Sequence, residues 1–324
     1  MKILALVPGG IGDQLLFFPA LDDLKHHYPE AEIDVLVEPR SLGAYRICQS
    51  VTEVIKFDYK ARNGLADFGN LLGMMRDREY DVVLSLGRRW AIGLLLWMSG
   101  IPKRIGYDAN AGKGFFTNTV PLNQDQYAAA MYHDLVKGLG INSPCPPVVA
   151  QIPKPDMAWA RTKQEDLEIT QGYIAIHGGS SRLAQQQGIN KLYPVQQWQE
   201  IIQDIHQKQP NLPIVLLAGP DDQAWVSQML QSSADIKVVA PGNIGQLAAV
   251  IAGAKLMLCT DSAPMHISIA VGTYTIALFG PTPAQKLIPQ NDRCVGIQSP
   301  TGSIADISPA QILEQIWQSW LVGA

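Results

Sequence analysis

Residues 256–283 read LMLCTDSAPMHISIAVGTYTIALFGPTP. An apolar run ends at Thr260 and Asp261, where polar side chains reach the carboxyl edge of a buried strand. Ser262 is the expected cap of a short helix, and Pro264 suits its first turn, where a missing N–H costs nothing. Ala263 and Met265 lie in the same turn, and His266 falls in it or just past it, on the ligand side. A helix start of this kind offers backbone N–H groups and a positive dipole end, which together favour a phosphate. Gly272 is the expected helix stop, and Tyr274–Phe279 reads as the next buried strand. Strand, sharp turn, helix and strand in this order form the ligand-binding corner of a Rossmann-type parallel sheet.

The same logic recurs at the start of the chain. Lys2–Val7 is an aliphatic strand, followed by the glycine turn Pro8–Asp13 and a helix expected over Gln14–Tyr28, which Pro19 should bend or restart. Two readings compete for the turn. One is a dinucleotide fingerprint on Gly10 and Gly12, with Glu38 at the end of the second strand (Glu32–Val37) as the ribose acid; Leu15 occupies the place of its third glycine. In the other, Asp13 caps the helix that follows. Further strands are expected over Glu53–Tyr59, Tyr80–Leu86 and Arg104–Asp108. A helix is expected over Gln126–Leu139, with His133 structural. Arg88 and Arg89 sit on a loop at the carboxyl edge.

Prolines crowd residues 144–155, and proline continues neither helix nor central strand. This places a domain junction there, giving domains 1–155 and 156–324. The second series opens with a strand at Tyr173–Ile176 and the loop His177, Gly178, Gly179, Ser180, Ser181, a glycine and hydroxyl segment suited to close approach by phosphate. Arg182–Asn190 reads as a mobile loop. Lys191 and Pro194 then precede a helix over Val195–Gln209. The strand Pro213–Ala218 leads to Asp221 and Asp222, which either face a ligand or cap the next helix. The last helix, from Ser308, carries Trp317 and Trp320 as candidates for packing back on the first domain.

Taken together, Asp261–His266, the strand ending Phe279-Gly280-Pro281-Thr282, Lys191 with Tyr193 and Pro194, and the opening turn with Asp13 resemble glycosyltransferase family 9, the lipopolysaccharide heptosyltransferase group. Ala263 departs from that pattern, which usually has glycine there. The resemblance implies an α/β chain of GT-B architecture, two facing Rossmann-like domains with a cleft between them. It implies an inverting, metal-independent transfer of a sugar, heptose by family default, from a nucleotide-diphosphate sugar such as ADP-heptose to a glycan or glycolipid acceptor. In that reading Asp13 is the general base. Gly12, Gly178, Gly179, Ser180, Ser181, Lys191, Asp221, Asp222 and residues 261–266 bind the donor, and one of the two adjacent aspartates holds the ribose. No cofactor is expected beyond the co-substrate. The sequence has no Asp-x-Asp pair in a suitable loop.

Composition sets outer limits. The 324 residues are 47% hydrophobic and 17% charged, with net charge −4, which suits a globular chain with ample core and argues against nucleic acid as a partner. The four cysteines are widely separated, so reduced thiols are expected. No signal peptide is read at Met1, and the apolar run Ala91–Met98 is far below the about 20 residues that span a bilayer. A cytoplasmic enzyme is the expectation, with peripheral contact to the inner membrane face left open by a lipid-anchored acceptor. Two other functions stand beside transfer: a nicotinamide-dependent oxidoreductase, and a sugar-nucleotide binder in which Asp13 has lost its role.

Overall fold

The computed structural model describes residues 1–58, 64–109, 111–179, 191–231 and 235–323, with side chains described up to residue 318. It divides into two compact units, Met1–Val149 and Ala150–Ala324. Each is built on a six-stranded parallel sheet.

The first sheet contains β1 (Lys2–Val7), β2 (Glu32–Val37), β3 (Glu53–Lys56), β4 (Val82–Ser85), β5 (Lys103–Tyr107) and β6 (Asn118–Val120), in spatial order β3-β2-β1-β4-β5-β6. The first strand is therefore central, and the connections run outward from it in both directions. β1 is apolar from Ile3 to Val7 and wholly buried over that span, as a strand covered on both faces must be. The helix Ile11–His27 starts three residues earlier than the sequence suggested and runs through Pro19 without interruption. Residues 14–21 of that helix are all buried, so packing on every side holds the proline in place and outweighs its intrinsic cost. The segment expected as one helix over 126–139 is a short helix, Ala128–His133, followed by a 3₁₀ turn, Asp134–Leu139. A 3₁₀ turn, Lys113–Phe115, leads into β6.

The second sheet contains β7 (Ile174–His177), β8 (Ile214–Leu217), β9 (Ile236–Val239), β10 (Leu256–Thr260), β11 (Thr275–Phe279) and β12 (Cys294–Gln298), ordered β12-β11-β10-β7-β8-β9. Again the first strand of the series lies inside, flanked by β10 and β8. Its core joins Ile174, Ile176, Leu216, Leu258, Ile276 and Trp198. The terminal helix Pro309–Gly323 packs on the helix Val195–Lys208 of its own unit. There Trp317 Nε1–H donates to Asp204 at 2.9 Å, and Lys208 Nζ sits 4.8 Å above the indole. All four cysteines are unpaired. No described helix is long and apolar enough to cross a membrane.

A buried polar cluster ties the first helix to the end of its unit. His133 Nε2 lies 2.9 Å from Asp23 Oδ2, His27 Nδ1 lies 3.2 Å from Oδ1, and the Ser143 hydroxyl also donates to Asp23. Burial opposes ionisation of Asp23, but these three partners outweigh it and hold the carboxyl below its usual range. A depressed carboxylate contributes stability above its unfolded value, about 3.9, and that stability is lost as pH falls through the lower folded value. Asp23→Ala should therefore lower the free energy of urea unfolding at neutral pH by about 3 kcal/mol, because it strands a buried imidazole. The deficit should shrink in acid, and an unchanged urea midpoint at neutral pH would show that the cluster is dispensable.

Candidate functional site

In a sheet whose first strand is internal, neighbouring connections leave on opposite faces and open a crevice at the carboxyl edge. In the first unit this edge carries the turn Pro8–Gly10 and the start of the helix Ile11–His27. Gly9 has φ of +128°, and a Cβ there would lie 2.3 Å from Asp13 Oδ2, so only glycine fits. Gly12 lies in the first turn of the helix. Asp13 is in that turn too and accepts from the Gly10 N–H at 2.7 Å, completing a capping box. Its other oxygen accepts from the Tyr132 hydroxyl at 3.1 Å. Burial, and then the Asp13 charge, push the Tyr132 phenol far above its ordinary range, so it remains a proton donor to the carboxylate. Asp13 thus caps the helix and is also oriented by a side chain from a distant segment. Tyr132 carried no signal in the sequence, because its spacing from Asp13 follows only from the fold.

The same edge of this unit holds a cavity of about 370 Å³ lined by Leu6, Phe57, Leu86 and Ile92, with Arg88 and Arg89 on it. Glu38 also borders it. Glu38 is buried and paired with Arg40 at 2.7 Å.

In the second unit, β10 ends at Thr260, and Asp261 and Ser262 lead into the helix Ala263–Ala270. Lys191 Nζ meets Asp261 Oδ2 at 2.5 Å, with both side chains largely withdrawn from solvent. The two residues stand 70 positions apart in the chain, and the fold brings them together at the sheet edge. Ser262 occupies the N-cap position, yet its hydroxyl makes no bond to the helix. Instead Oγ lies 3.1 Å from Thr260 O and 3.2 Å from His177 Nδ1. The expected side-chain cap is thus replaced by a bond to the neighbouring strand. Pro264 is in the first turn as expected, and Met265 N–H donates to Ser262 O at 3.1 Å. His266 and Met265 are buried. The only described non-glycine residues with positive φ are Glu79 and Glu168, so the backbone at Ala263 does not demand glycine.

His177 closes β7 between these elements. Its Nε2 lies 3.1 Å from Asp222 Oδ2, and that oxygen also accepts from the Gly219 N–H at 2.7 Å. Burial raises the cost of the Asp222 charge, but His177 and the Gly219 N–H more than compensate, and the carboxyl titrates below its ordinary range. Asp222 is therefore buried against a strand end, while Asp221 beside it is exposed. Gly178 and Gly179 are both buried. A Cβ at Gly179 would lie 1.7 Å from Asp222 Oδ1, and one at Gly178 would lie 2.6 Å from the Trp225 ring and 2.7 Å from Trp198 Nε1. These glycines make room for protein side chains. The buried indole N–H groups of Trp198 and Trp225 have no hydrogen-bond partner among the described residues. Ser180, Ser181 and the segment Arg182–Asn190 lie outside the described residues. Among the described residues no group of three or more His, Cys, Asp or Glu side chains is disposed to hold a metal ion.

Sequence comparison finds a match over residues 69–316 to the family model described as glycosyltransferase family 9 (heptosyltransferase). Among curated relatives, lipopolysaccharide heptosyltransferase 3 of Escherichia coli is 28% identical over 288 residues, covering 84% of this chain and 81% of the relative. A chloroplastic protein of Arabidopsis thaliana, photosynthetic NDH subunit of subcomplex B 1, is 25% identical over 328 residues, covering 93% and 70% of the two chains. Among solved structures, E. coli ADP-heptose lipopolysaccharide heptosyltransferase II superposes with a TM-score of 0.81 at 20% identity, covering 99% of each chain. That likeness shows a shared two-unit α/β fold. Since the family model spans well over half of the sequence, the chain belongs to glycosyltransferase family 9 and is a glycosyltransferase.

Proposed function

We propose that the protein transfers heptose from ADP-heptose to a lipopolysaccharide-type acceptor, with inversion and without a metal ion. The observation that carries this reading is the Lys191–Asp261 pair set beside the start of the helix Ala263–Ala270 at the carboxyl edge of the second sheet. A diphosphate leaving group develops negative charge as the sugar bond breaks. A lysine and a helix N-terminus answer that charge from fixed positions. Asp261 cannot accept a bond from a phosphate oxygen. Its role is to hold Lys191 in place and to take a hydroxyl of the donor sugar. His266 supplies a further donor from the helix start, and Asp221, exposed in the turn after β8, takes the ribose. ADP-heptose is the donor named for the E. coli enzyme of the same fold.

In the first unit, Asp13 is the base. Each carboxylate oxygen accepts one bond, from Gly10 N–H or from Tyr132, which leaves a lone pair on each to receive the proton of an acceptor hydroxyl. The proton moves late, as the anomeric carbon loses its diphosphate, so an ordinary carboxylate suffices. Arg88 and Arg89 on the neighbouring cavity suit an acceptor that carries anionic groups, as a lipopolysaccharide core does. A cytoplasmic location with contact at the inner membrane face follows from an acceptor of that kind.

Asp13→Ala should lower the turnover of ADP-heptose by at least about a hundredfold, the usual range for loss of a general base, while the donor dissociation constant stays within about twofold. Turnover near that of the wild type would remove Asp13 from the chemistry. Lys191→Met should weaken donor binding and slow transfer together, by about ten- to a hundredfold each. The wild type should keep its rate in excess EDTA, and a rate abolished by EDTA and restored by a divalent cation would overturn metal independence.

A further inference from the structure

We propose that His177, held by Asp222, is a positioning residue that sets the direction of the Ser262 hydroxyl proton and so tunes the binding of the donor diphosphate. The inference rests on the donor reading above and extends it to two residues that touch no substrate.

The geometry fixes most of the proton positions. Asp222 Oδ2 accepts from the Gly219 N–H and lies 3.1 Å from His177 Nε2. An ionised carboxylate has no proton to give, so Nε2 carries the hydrogen. The other ring nitrogen, Nδ1, lies 3.2 Å from Ser262 Oγ, and Oγ lies 3.1 Å from Thr260 O. The serine has a single proton and two places to put it. With a neutral ring, Nδ1 is an acceptor and competes with Thr260 O for that proton. Ser262 then presents only lone pairs to an arriving phosphate oxygen. With a protonated ring, Nδ1–H donates to Oγ, and the hydroxyl proton is released to Thr260 O or to the anion. The protonated ring also adds a positive charge behind the first turn of the helix Ala263–Ala270, where a dipole end already favours an anion. The hydrogen-bonding state of the His177 ring and diphosphate binding are therefore linked.

The surroundings are built around this chain of bonds. His177, Ser262 and Asp222 come from three adjacent strands, β7, β10 and β8, so the bonds cross the place where the strand order reverses. The missing side chain of Gly179 leaves the space that Asp222 fills. The Trp225 ring lies 6.5 Å from the imidazole. Among the described residues, the Lys191–Asp261 pair stands beside Ser262, His266 lies in the same helix, Asp221 precedes Asp222, and Cys259 is the register partner of His177 on β10.

The test is calorimetric titration of the full-length protein with ADP-heptose, whose diphosphate diester has no ionisation in the neutral range, and with adenosine as a control lacking phosphate. The wild type should bind ADP-heptose more tightly than adenosine. His177→Gln should weaken ADP-heptose binding by about tenfold, leaving adenosine binding and thermal midpoint close to wild type. Asp222→Asn can donate to the ring as well as accept from it, so it no longer fixes which ring nitrogen carries the hydrogen; it should weaken ADP-heptose binding in the same direction with adenosine binding unchanged, and it also serves if the His177 variant fails to fold. A wild type that does not bind ADP-heptose removes the donor reading, and the inference with it. A wild type that binds, together with variants that share its affinity, overturns the inference alone.

Discussion

A parallel sheet must bury both faces, and its strands must therefore be apolar along their length. Polar side chains are left with the strand ends. When the first strand of a series lies inside the sheet, one edge crevice opens beside it, and the glycine turns and helix starts that follow the strands converge there. Both units of this protein obey that constraint, with β1 between β2 and β4, and β7 between β8 and β10. Asp13, Lys191, Asp261, Ser262 and His177 are at sheet edges for this reason. The function is a consequence of which residues were placed at those ends, because the fold alone serves many chemistries.

The Lys191–Asp261 pair shows how such an edge can hold charge. Two charges withdrawn from water cost several kcal/mol each unless they meet closely. The contact at 2.5 Å sets the two charges against one another at the strand end. Removal of Asp261 would leave a half-buried cation, and removal of Lys191 a buried anion, each without its partner in the pair. The two residues are best understood as one unit.

Much of this could be read along the chain. β1 and β2 have the bounds their composition suggested, and Asp261, Pro264 and Gly272 occupy the turn, first helical turn and helix stop expected of them. Apolar runs and local turn chemistry are short-range signals, and they survive into the structure. What escaped was long-range. The helix Ile11–His27 passes through Pro19 because packing on all sides outweighs one lost bond. Tyr132 meets Asp13 across 119 positions, and Asp222 meets His177 across 45. β6 is three residues long and partly exposed, too short for any periodicity to register. The space that Gly178 and Gly179 leave for Trp198, Trp225 and Asp222 is likewise set by residues far along the chain.

The two edges carry one local device with two outcomes. In each, a strand ends in a turn whose glycine N–H donates to an aspartate three residues later, Gly10 to Asp13 and Gly219 to Asp222, both at 2.7 Å. The second partner differs. Asp13 faces the neutral hydroxyl of Tyr132, which orients the carboxylate without bringing a charge to it. Asp222 faces an imidazole, which draws its carboxyl below the usual range and spends its charge on holding a ring in place. A carboxylate so committed is a poor base and a good anchor. The same cap thus sets one carboxylate beside an uncharged hydroxyl and ties the other to a ring, by the choice of a single neighbour.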